Sequence, residues 1–241
     1  YTLGGQVTEI NSLASMALGM AAEFTGEAGF SEAARRMADA INDELWAGEG
    51  YLLNRTEGRP NPQVTGDMVF PLFTGIADAG RARKVLQRLG REDFWTERGM
   101  RTVPNSDPGY EPAKNFGLHG GSWPNLTLWY AHAVARHDPD RALHAIEAVA
   151  RPVVEPQPES AGVTAGEFPE WFNGDTGANG GMRLSPWVPP TFIWAVMEGL
   201  LGLSWEKGEP RAEPRWPSGW NKVDIRRLPC AGSPRDLSLR R

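Results

Sequence analysis

Residues 166–187 constrain this chain more than any other stretch, because their composition suits neither a continuous helix nor a strand. The sequence there is GEFPEWFNGDTGANGGMRLSPW, in which two glutamates, Glu167 and Glu170, lie among aromatic residues. Glycine and asparagine at this density favour turns with positive φ. The two carboxyl groups are therefore expected on an ordered loop, which is where catalytic and binding groups are concentrated in folded proteins.

Apolar residues elsewhere recur at helical spacing and predict seven helices. The first is an amphipathic helix that ends at Gly26. Its apolar stripe consists of Val7, Ile10, Leu13, Ala17, Ala21 and Phe24. The seventh, at residues 185–203, is apolar on nearly all sides, which predicts deep burial.

Capping residues and prolines predict where several of these helices begin and end. Ser31, Ser122 and Asp138 are candidate N-caps of the second, fifth and sixth helices. Pro152 is expected to end the sixth helix, and Pro71 must kink the third or lie in its first turn.

The connections alternate between short and long. The long ones, residues 91–121 and 151–184, exceed the length usual for loops without a function. This rhythm suits a toroid of paired helices with its long loops collected at one end. After Gly202, three prolines make a linker, and alternating apolar residues then resemble short strands. We expect a helical region at residues 1–205 and a linker with a partial β appendage at residues 206–241.

Composition excludes several classes of function. The apolar fraction of 40% and the charged fraction of 23% are typical of a soluble globular protein. The formal net charge of −5 argues against nucleic acid as a partner, because phosphate binding needs a concentrated basic face. The single cysteine, Cys230, excludes an internal disulfide and indicates a reducing compartment. No transmembrane or signal-peptide pattern is present, so we expect a cytoplasmic protein with no membrane partner.

Four segments, in order along the chain, resemble parts of the glycosidases built on an (α/α)6 barrel, the six-hairpin glycosidases. VTEINSLASMAL at residues 7–18 is similar to the VEINALWYNAL helix of glycogen-debranching, amylo-α-1,6-glucosidase-like enzymes. HGGSWPNLTLWYA at residues 119–131 resembles the segment that opens a later inner helix. PEWFNGDTG at residues 169–177 resembles the general-base loop of trehalase-, glucosidase- and glucoamylase-like barrels. RWPSGWNKVDIRRLP at residues 215–229 is similar to the β-domain that follows many such barrels.

The resemblance implies an all-α fold, an (α/α)6 toroid present here in its later part, with a short C-terminal β-structured appendage. It also implies an inverting glycoside hydrolase that acts on α-glucosidic saccharides such as glycogen, oligosaccharides or disaccharides, and needs no cofactor. Glu170 matches the general base of the family. Glu167 is the rival within the same loop.

The chain also departs from the family pattern. Gly174 replaces the usual proline, and Leu3-Gly4-Gly5 replaces a start that contains Pro-Arg. The family's general acid, an aspartate in a Trp-x-Asp context, would lie upstream of Tyr1. No general acid is therefore assigned within these residues. We expect the chain to be a fragment of a longer enzyme, and the fragment alone can be inactive.

Several further residues are candidates for substrate binding, and each has a structural alternative. They are Glu9, Asn11, His119, Trp123, Glu167, Trp171, Asp175 and Trp187. The three tryptophans could stack on sugar rings or pack in the core. Asp175 and Asn173 could bind sugar hydroxyls or hold the loop through Asx turns, and the structural role is favoured. Glu9 could equally be a first-turn acid stabilised by the helix dipole.

Two other functions stay open beside hydrolysis. One is a non-catalytic carbohydrate-binding or structural domain. The other is a phosphorylase of the same architecture, which would need cations near the loop, where Lys114 and Arg183 are the local candidates. The histidines lack a metal-like arrangement, so no metal is expected. The oligomeric state is not indicated.

Overall fold

The computed structural model describes residues 4–206, 208–230 and 232–241. The departure expected at Leu3 lies outside these residues. The helices are α1 (Thr8–Thr25), α2 (Ala28–Glu44), α3 (Phe70–Phe73), α4 (Ala79–Leu89), α5 (Pro124–Val134), α6 (Pro139–Val154) and α7 (Val188–Trp194). The strands are β1 (Gln6–Val7), β2 (Asn54–Thr56), β3 (Arg59–Asn61), β4 (Trp95–Thr96), β5 (Gly99–Met100), β6 (Leu203–Glu206), β7 (Glu209–Ala212), β8 (Lys222–Leu228) and β9 (Arg235–Arg240).

The helices form hairpins, as the rhythm of the sequence predicts. Short connections join α1 to α2 and α5 to α6, and each pair packs along its length, which is typical of antiparallel neighbours. The core between the hairpins comes mainly from the segment around α3 and from α4, α5 and α6. Phe70, Val85, Leu128 and Tyr130 are completely buried there.

The long connections meet at one end of these hairpins, and backbone hydrogen bonds join them. The amide of Gly66 donates to Thr102, and the amide of Thr102 donates to Gly121, at 2.8 and 3.0 Å. Ser122 and Phe172 then exchange two hydrogen bonds of 2.8 and 2.9 Å. The loop at residues 166–187 is thus attached through its backbone to the start of α5.

Several predicted helix ends are confirmed. The αL residue Gly26 follows α1, and its amide bonds to Ala22. The Asp138 carboxylate accepts a 3.0 Å hydrogen bond from the amide of Arg141 and caps α6. Pro71 lies in the first turn of α3, where its missing N–H leaves no bond unmade.

Three other predicted helix ends are wrong. The second helix begins at Ala28, before Ser31, and the sixth continues through Pro152 to Val154. Ser122 does not cap α5, which begins at Pro124. Its buried hydroxyl instead donates to the carbonyl of Gly99 at 2.9 Å, because residue 122 takes part in the loop bridges.

The apolar stripe of α1 faces outward at several positions. Phe24 is 93% exposed and Ile10 is 59% exposed, whereas Thr8, Ser12 and Ser15 are buried. The buried hydroxyls are satisfied, since Thr8 bonds to Leu52 and Ser15 to Ala34. Helices of soluble domains normally turn their apolar face to the core, so the periodicity predicts the helix correctly but not its orientation.

The seventh helix is shorter and less buried than its sequence predicts. The α-helical turns span Val188–Trp194 and continue as a π-helix over Ala195–Leu200. Ile193 is 62% exposed. The guanidinium of Arg215 bonds to the carbonyls of Glu198 and Gly199, which lie in the last turn and have no donor within the helix.

The C-terminal residues form β structure, as predicted. β6 pairs with β7 and β8 with β9, each pair antiparallel. The alternating residues Val223, Ile225, Leu237 and Leu239 share one half-buried face. β6 spans the predicted boundary at residue 205. In the described part of the chain, no helix combines the length and apolar character that a membrane span requires.

Candidate functional site

The Glu170 carboxylate lies half-buried in the loop and is oriented by the opposite arm of that loop. Its backbone N–H donates to the carbonyl of Met182 at 2.8 Å. The Met182 N–H in turn donates to Oε2 of Glu170 at 3.2 Å. The second carboxylate oxygen, Oε1, makes no hydrogen bond with any described residue. Glu170 is therefore held on one side and available on the other.

Glu167 differs from Glu170, because both of its oxygens are engaged. Oε2 accepts from the amide of Thr164 at 2.8 Å and from Nε of Arg183 at 2.9 Å. Oε1 lies 2.6 Å from Nη2 of Arg183. The hydrogen bond from Arg183, followed by that from Thr164, lowers the pKa of the Glu167 carboxyl. A carboxylate so stabilised is a poor proton acceptor.

Trp171 fills a space bounded by glycines, and only 6% of its surface is exposed. A Cβ at Gly117 would lie 2.5 Å from the indole, and one at Gly181 would lie 2.6 Å from it. A Cβ at Gly121 or Gly180 would also contact the ring. The glycine-rich composition therefore makes room for an aromatic side chain beside Glu170, and this burial favours the structural role for Trp171.

The turn after Phe172 is fixed by its own side chains. Oδ1 of Asn173 accepts from the amides of Asp175 and Thr176 at 3.0 and 3.1 Å, which is the Asx arrangement expected. Asp175 accepts a 2.6 Å hydrogen bond from the hydroxyl of Tyr110. Burial, and then the bond to Asp175, raises the pKa of Tyr110, so the phenol stays a donor.

The buried side chain of Arg101 holds this turn in place, and sequence reasoning missed it. The side chain is 8% exposed, and its guanidinium donates to the carbonyl of Trp95 at 2.5 Å and to that of Gly174 at 3.0 Å. A buried arginine needs such acceptors, because an unpaired buried charge is costly. Only the position of Arg101 inside a long, irregular connection could have suggested this role.

His119 and Trp123 lie where the long connection enters α5. His119 is 7% exposed, with Nε2 at 3.1 Å from Nδ2 of Asn115. Gly120 has φ +125°, and a Cβ there would overlap the ring of Tyr110, so this turn requires glycine.

Trp123 precedes α5 and packs half-buried against the core. Trp187 precedes α7 and is 39% exposed, which makes it the most open of the three candidate stacking residues.

Glu9 and Asn11 lie in the first turn of α1. The side chain of Asn11 donates to the carbonyl of Val7 at 2.7 Å and so helps to hold the start of the helix. Burial, and then the negative charge of Asp67, raises the pKa of Glu9 to about 7. Asp67 follows β3 in a 3-10 turn, and sequence reasoning missed it because no motif marks it.

The raised pKa of Glu9 predicts a dependence of stability on pH. Because the folded state holds the Glu9 proton more tightly than the unfolded chain, this contribution is complete below about pH 4.5 and is lost as the pH rises to about 7. The shift corresponds to about 3 kcal/mol. Glu9→Gln should therefore match the wild type in free energy of unfolding at pH 4 and exceed it at pH 8.

Urea denaturation at the two pH values measures this difference. Glu23→Gln, which changes an exposed carboxylate of the same helix, is the matched control. A Glu9→Gln variant that follows the wild-type pH dependence would contradict the assignment.

The described residues contain no group of three histidine, cysteine, aspartate or glutamate side chains that could hold a metal ion. The cations considered for a phosphate site are paired, Lys114 with Glu111 at 3.0 Å and Arg183 with Glu167. The surroundings of Glu170 thus comprise one available carboxylate oxygen, the Met182 backbone and the buried ring of Trp171.

A sequence profile of the mannosylglycerate hydrolase MGH1-like glycoside hydrolase domain matches residues 6–195. The chain belongs to this family. The matched residues include all of the helices from α1 to α7 and the loop with Glu170. The resemblance to glycosidases is therefore confirmed, while the glycogen-debranching and trehalase-like subtypes are not supported.

The MGH1-like relatives are longer than this chain. The mannosylglycerate hydrolase of Rubrobacter radiotolerans is 28% identical over 178 residues, which cover 70% of this chain and 38% of that protein. The fold is also that of the GH63 mannosylglycerate hydrolase from Thermus thermophilus in complex with Tris. That structure has a TM-score of 0.62 and 18% identity, over 78% of this chain and 45% of that one.

A structure described as a sialidase extends the comparison to the β appendage. The match covers 92% of this MGH1-like chain and 22% of the sialidase chain, with a TM-score of 0.72 and 15% identity. This coverage exceeds the helical region at residues 1–205 alone, and the likeness shows a shared fold. The matched part of the chain covers less than half of each of these relatives.

Proposed function

We propose that this chain supplies the general base of an inverting glycoside hydrolase, and that Glu170 is that base. The observation that carries the proposal is the contrast between the two loop carboxylates. Glu170 keeps Oε1 available beside a single hydrogen bond, whereas Glu167 is fully engaged by Arg183 and Thr164. Membership of a glycoside hydrolase domain family supports it.

In an inverting hydrolysis, the base removes a proton from water while the water attacks the anomeric carbon. A separate carboxylic acid protonates the leaving oxygen on the opposite side of the sugar, with the two carboxyl groups roughly 6.5–9.5 Å apart. Glu170 would accept the proton of the water on Oε1 while Oε2 keeps its bond to Met182. The proton donor is assigned to no residue of this chain.

The substrate is proposed to be a hexoside, and the names of the relatives indicate which hexoside to test first. Two of them are named mannosylglycerate hydrolases, so mannosylglycerate is the leading substrate. The α-glucosides expected from the sequence are the second choice. Glu9, Asn11, His119, Trp123, Asp175 and Trp187 are the proposed contacts for sugar hydroxyls and ring faces.

Glu9 is suited to such a contact because its carboxyl group is close to half protonated near pH 7. It can then donate to one hydroxyl oxygen or accept from another. Asp175 and His119 have fixed orientations through Tyr110 and Asn115. Glu167 and Trp171 are proposed to support the loop, since salt bridging and burial occupy them.

A phosphorylase is less well supported, because both cations on which it depends are paired with carboxylates. A non-catalytic binding domain would use the same sugar contacts without a water at Glu170. Assays separate these functions.

The complete gene product should be incubated with mannosylglycerate, trehalose, glycogen and short α-glucosides, with and without phosphate, while the product is followed by NMR. We expect a free sugar that first appears as the inverted anomer and whose release does not depend on phosphate. Formation of a sugar phosphate, retention of the anomeric configuration, or no turnover of any of these substrates would contradict the proposal.

A further inference from the structure

A cavity of about 430 Å³ lies between β4 and the later turns of α6, and the proposed reaction makes no use of it. Glu92 comes from the turn before β4, Trp95 from β4 itself and Glu97 from the turn after it. His144 and Arg151 line it from α6, seven residues apart and therefore on one face of the helix. Neither Glu170 nor any of the proposed sugar contacts lines this cavity. Its volume falls in the range of about 300–1,000 Å³ that is usual for small-molecule sites.

The aromatic surface of the cavity is held in a fixed orientation. The indole N–H of Trp95 donates inward to the carbonyl of Leu89 at 2.8 Å. The ring also makes an edge contact with the buried Tyr130, with centroids 5.1 Å apart. His144 lies 6.1 Å from the Trp95 ring at a tilt of 48°. The N–H of Trp95 is thus used by the protein, and what the half-buried ring offers to the cavity is carbon surface.

Charged side chains surround this ring without being used by the protein. Glu92, Glu97 and Arg151 make no side-chain hydrogen bond or salt bridge with any described residue. By contrast, nearby Asp93 binds Arg88 through two hydrogen bonds of 3.0 and 3.2 Å and also binds Ser106. The cavity therefore combines a fixed aromatic ring with two available carboxylates and one available guanidinium.

We propose that this cavity binds a neutral saccharide at a second site, distinct from the Glu170 loop. The C–H face of a pyranose can pack on the exposed carbon surface of Trp95. Sugar hydroxyls donate to the carboxylates of Glu92 and Glu97 and accept from Arg151. Arg98 lies close enough to interact with the charges of Glu97 and Arg151, so two carboxylates are balanced by two guanidinium groups, and this balance suits a neutral sugar.

The site does not depend on Glu170 acting as a base, so its test is a binding measurement without turnover. The 241-residue chain carrying Glu170→Gln, labelled with 5-fluorotryptophan, is titrated with maltotriose and, separately, with mannotriose while ¹⁹F NMR is recorded. Trp95→Phe identifies the resonance of Trp95. We expect at least one probe to shift that resonance in a saturable manner.

Two variants at the edge of the cavity measure the contribution of its charged groups. Glu97→Gln and Arg151→Gln should each weaken the affinity reported by the Trp95 resonance about tenfold, the usual effect of losing a hydrogen bond to a charged group. The matched controls are Glu155→Gln and Arg136→Gln, which change residues outside the cavity and should leave the affinity unchanged.

The proposal is overturned if neither probe moves the Trp95 resonance. It is also overturned if Glu97→Gln and Arg151→Gln both bind as tightly as their parent. Neither result depends on whether the complete enzyme hydrolyses a saccharide. The second-site proposal and the catalytic proposal can therefore fail independently of each other.

Discussion

Glu170→Gln in the complete enzyme is expected to lower kcat by about 10²–10⁴-fold, the usual contribution of a general base. The amide can still accept the hydrogen bond from the Met182 N–H, so the loop should keep its shape and KM should change little. It cannot take a proton from water. Steady-state kinetics on whichever substrate the enzyme hydrolyses, with binding of an unhydrolysed analogue measured in parallel, checks both expectations.

Glu167→Gln is the matched control, because it makes the same chemical change three residues earlier in the same loop. This variant weakens the salt bridge with Arg183 and should retain most of the activity. If Glu170→Gln keeps more than about a tenth of the wild-type rate while Glu167→Gln loses nearly all activity, the roles of the two carboxylates are reversed.

Trp171→Ala is expected to lower the free energy of unfolding by about 3–5 kcal/mol, the range for removing a large buried aromatic side chain. The loss follows from the cavity that would remain between Gly117, Gly121, Gly180 and Gly181, none of which has a side chain that could fill it. Chemical denaturation of the 241-residue chain, with the slope compared between variants, measures the effect.

Trp187→Ala provides the comparison, since that indole is 39% exposed and its removal should cost much less stability. A Trp171→Ala variant as stable as the wild type that loses saccharide affinity would show that Trp171 faces the sugar. A large loss of stability establishes the core role that its burial supports.

The loop at residues 166–187 shows what could be predicted from the sequence. Its glycines and asparagines predict an ordered turn with Asx bonding, and Asn173 makes both of the bonds that such a turn requires. Local chemistry sufficed there, because the partners of each group lie within a few residues. The roles proposed for Glu170 and the sugar contacts remain predictions.

The sequence could not predict which face of α1 is buried. Periodicity gives the helix, but the direction of its apolar stripe depends on what packs against it. The hydroxyls of Thr8 and Ser15 turn inward because carbonyls of Leu52 and Ala34 lie within reach. Those acceptors are 44 and 19 residues away in the chain, and no local pattern contains them.

The supporting residues of the site were missed for a similar reason. Arg101 bonds to Gly174, which is 73 residues away, and Tyr110 bonds to Asp175, which is 65 residues away. Asp67 affects Glu9 from a separate connection. Each is an ordinary residue in an irregular segment, and its role arises only when the hairpins bring the long connections together.

The junction of these connections is made largely of main-chain groups, at Gly66, Thr102, Gly121, Ser122 and Phe172. Peptide groups are the same whatever side chain they carry, so this junction places few demands on the identity of neighbouring exposed residues. A descendant of this chain could exchange the exposed Trp187 for another residue without moving Glu170. Preference for one sugar over another can therefore diverge rapidly on a frame that stays fixed.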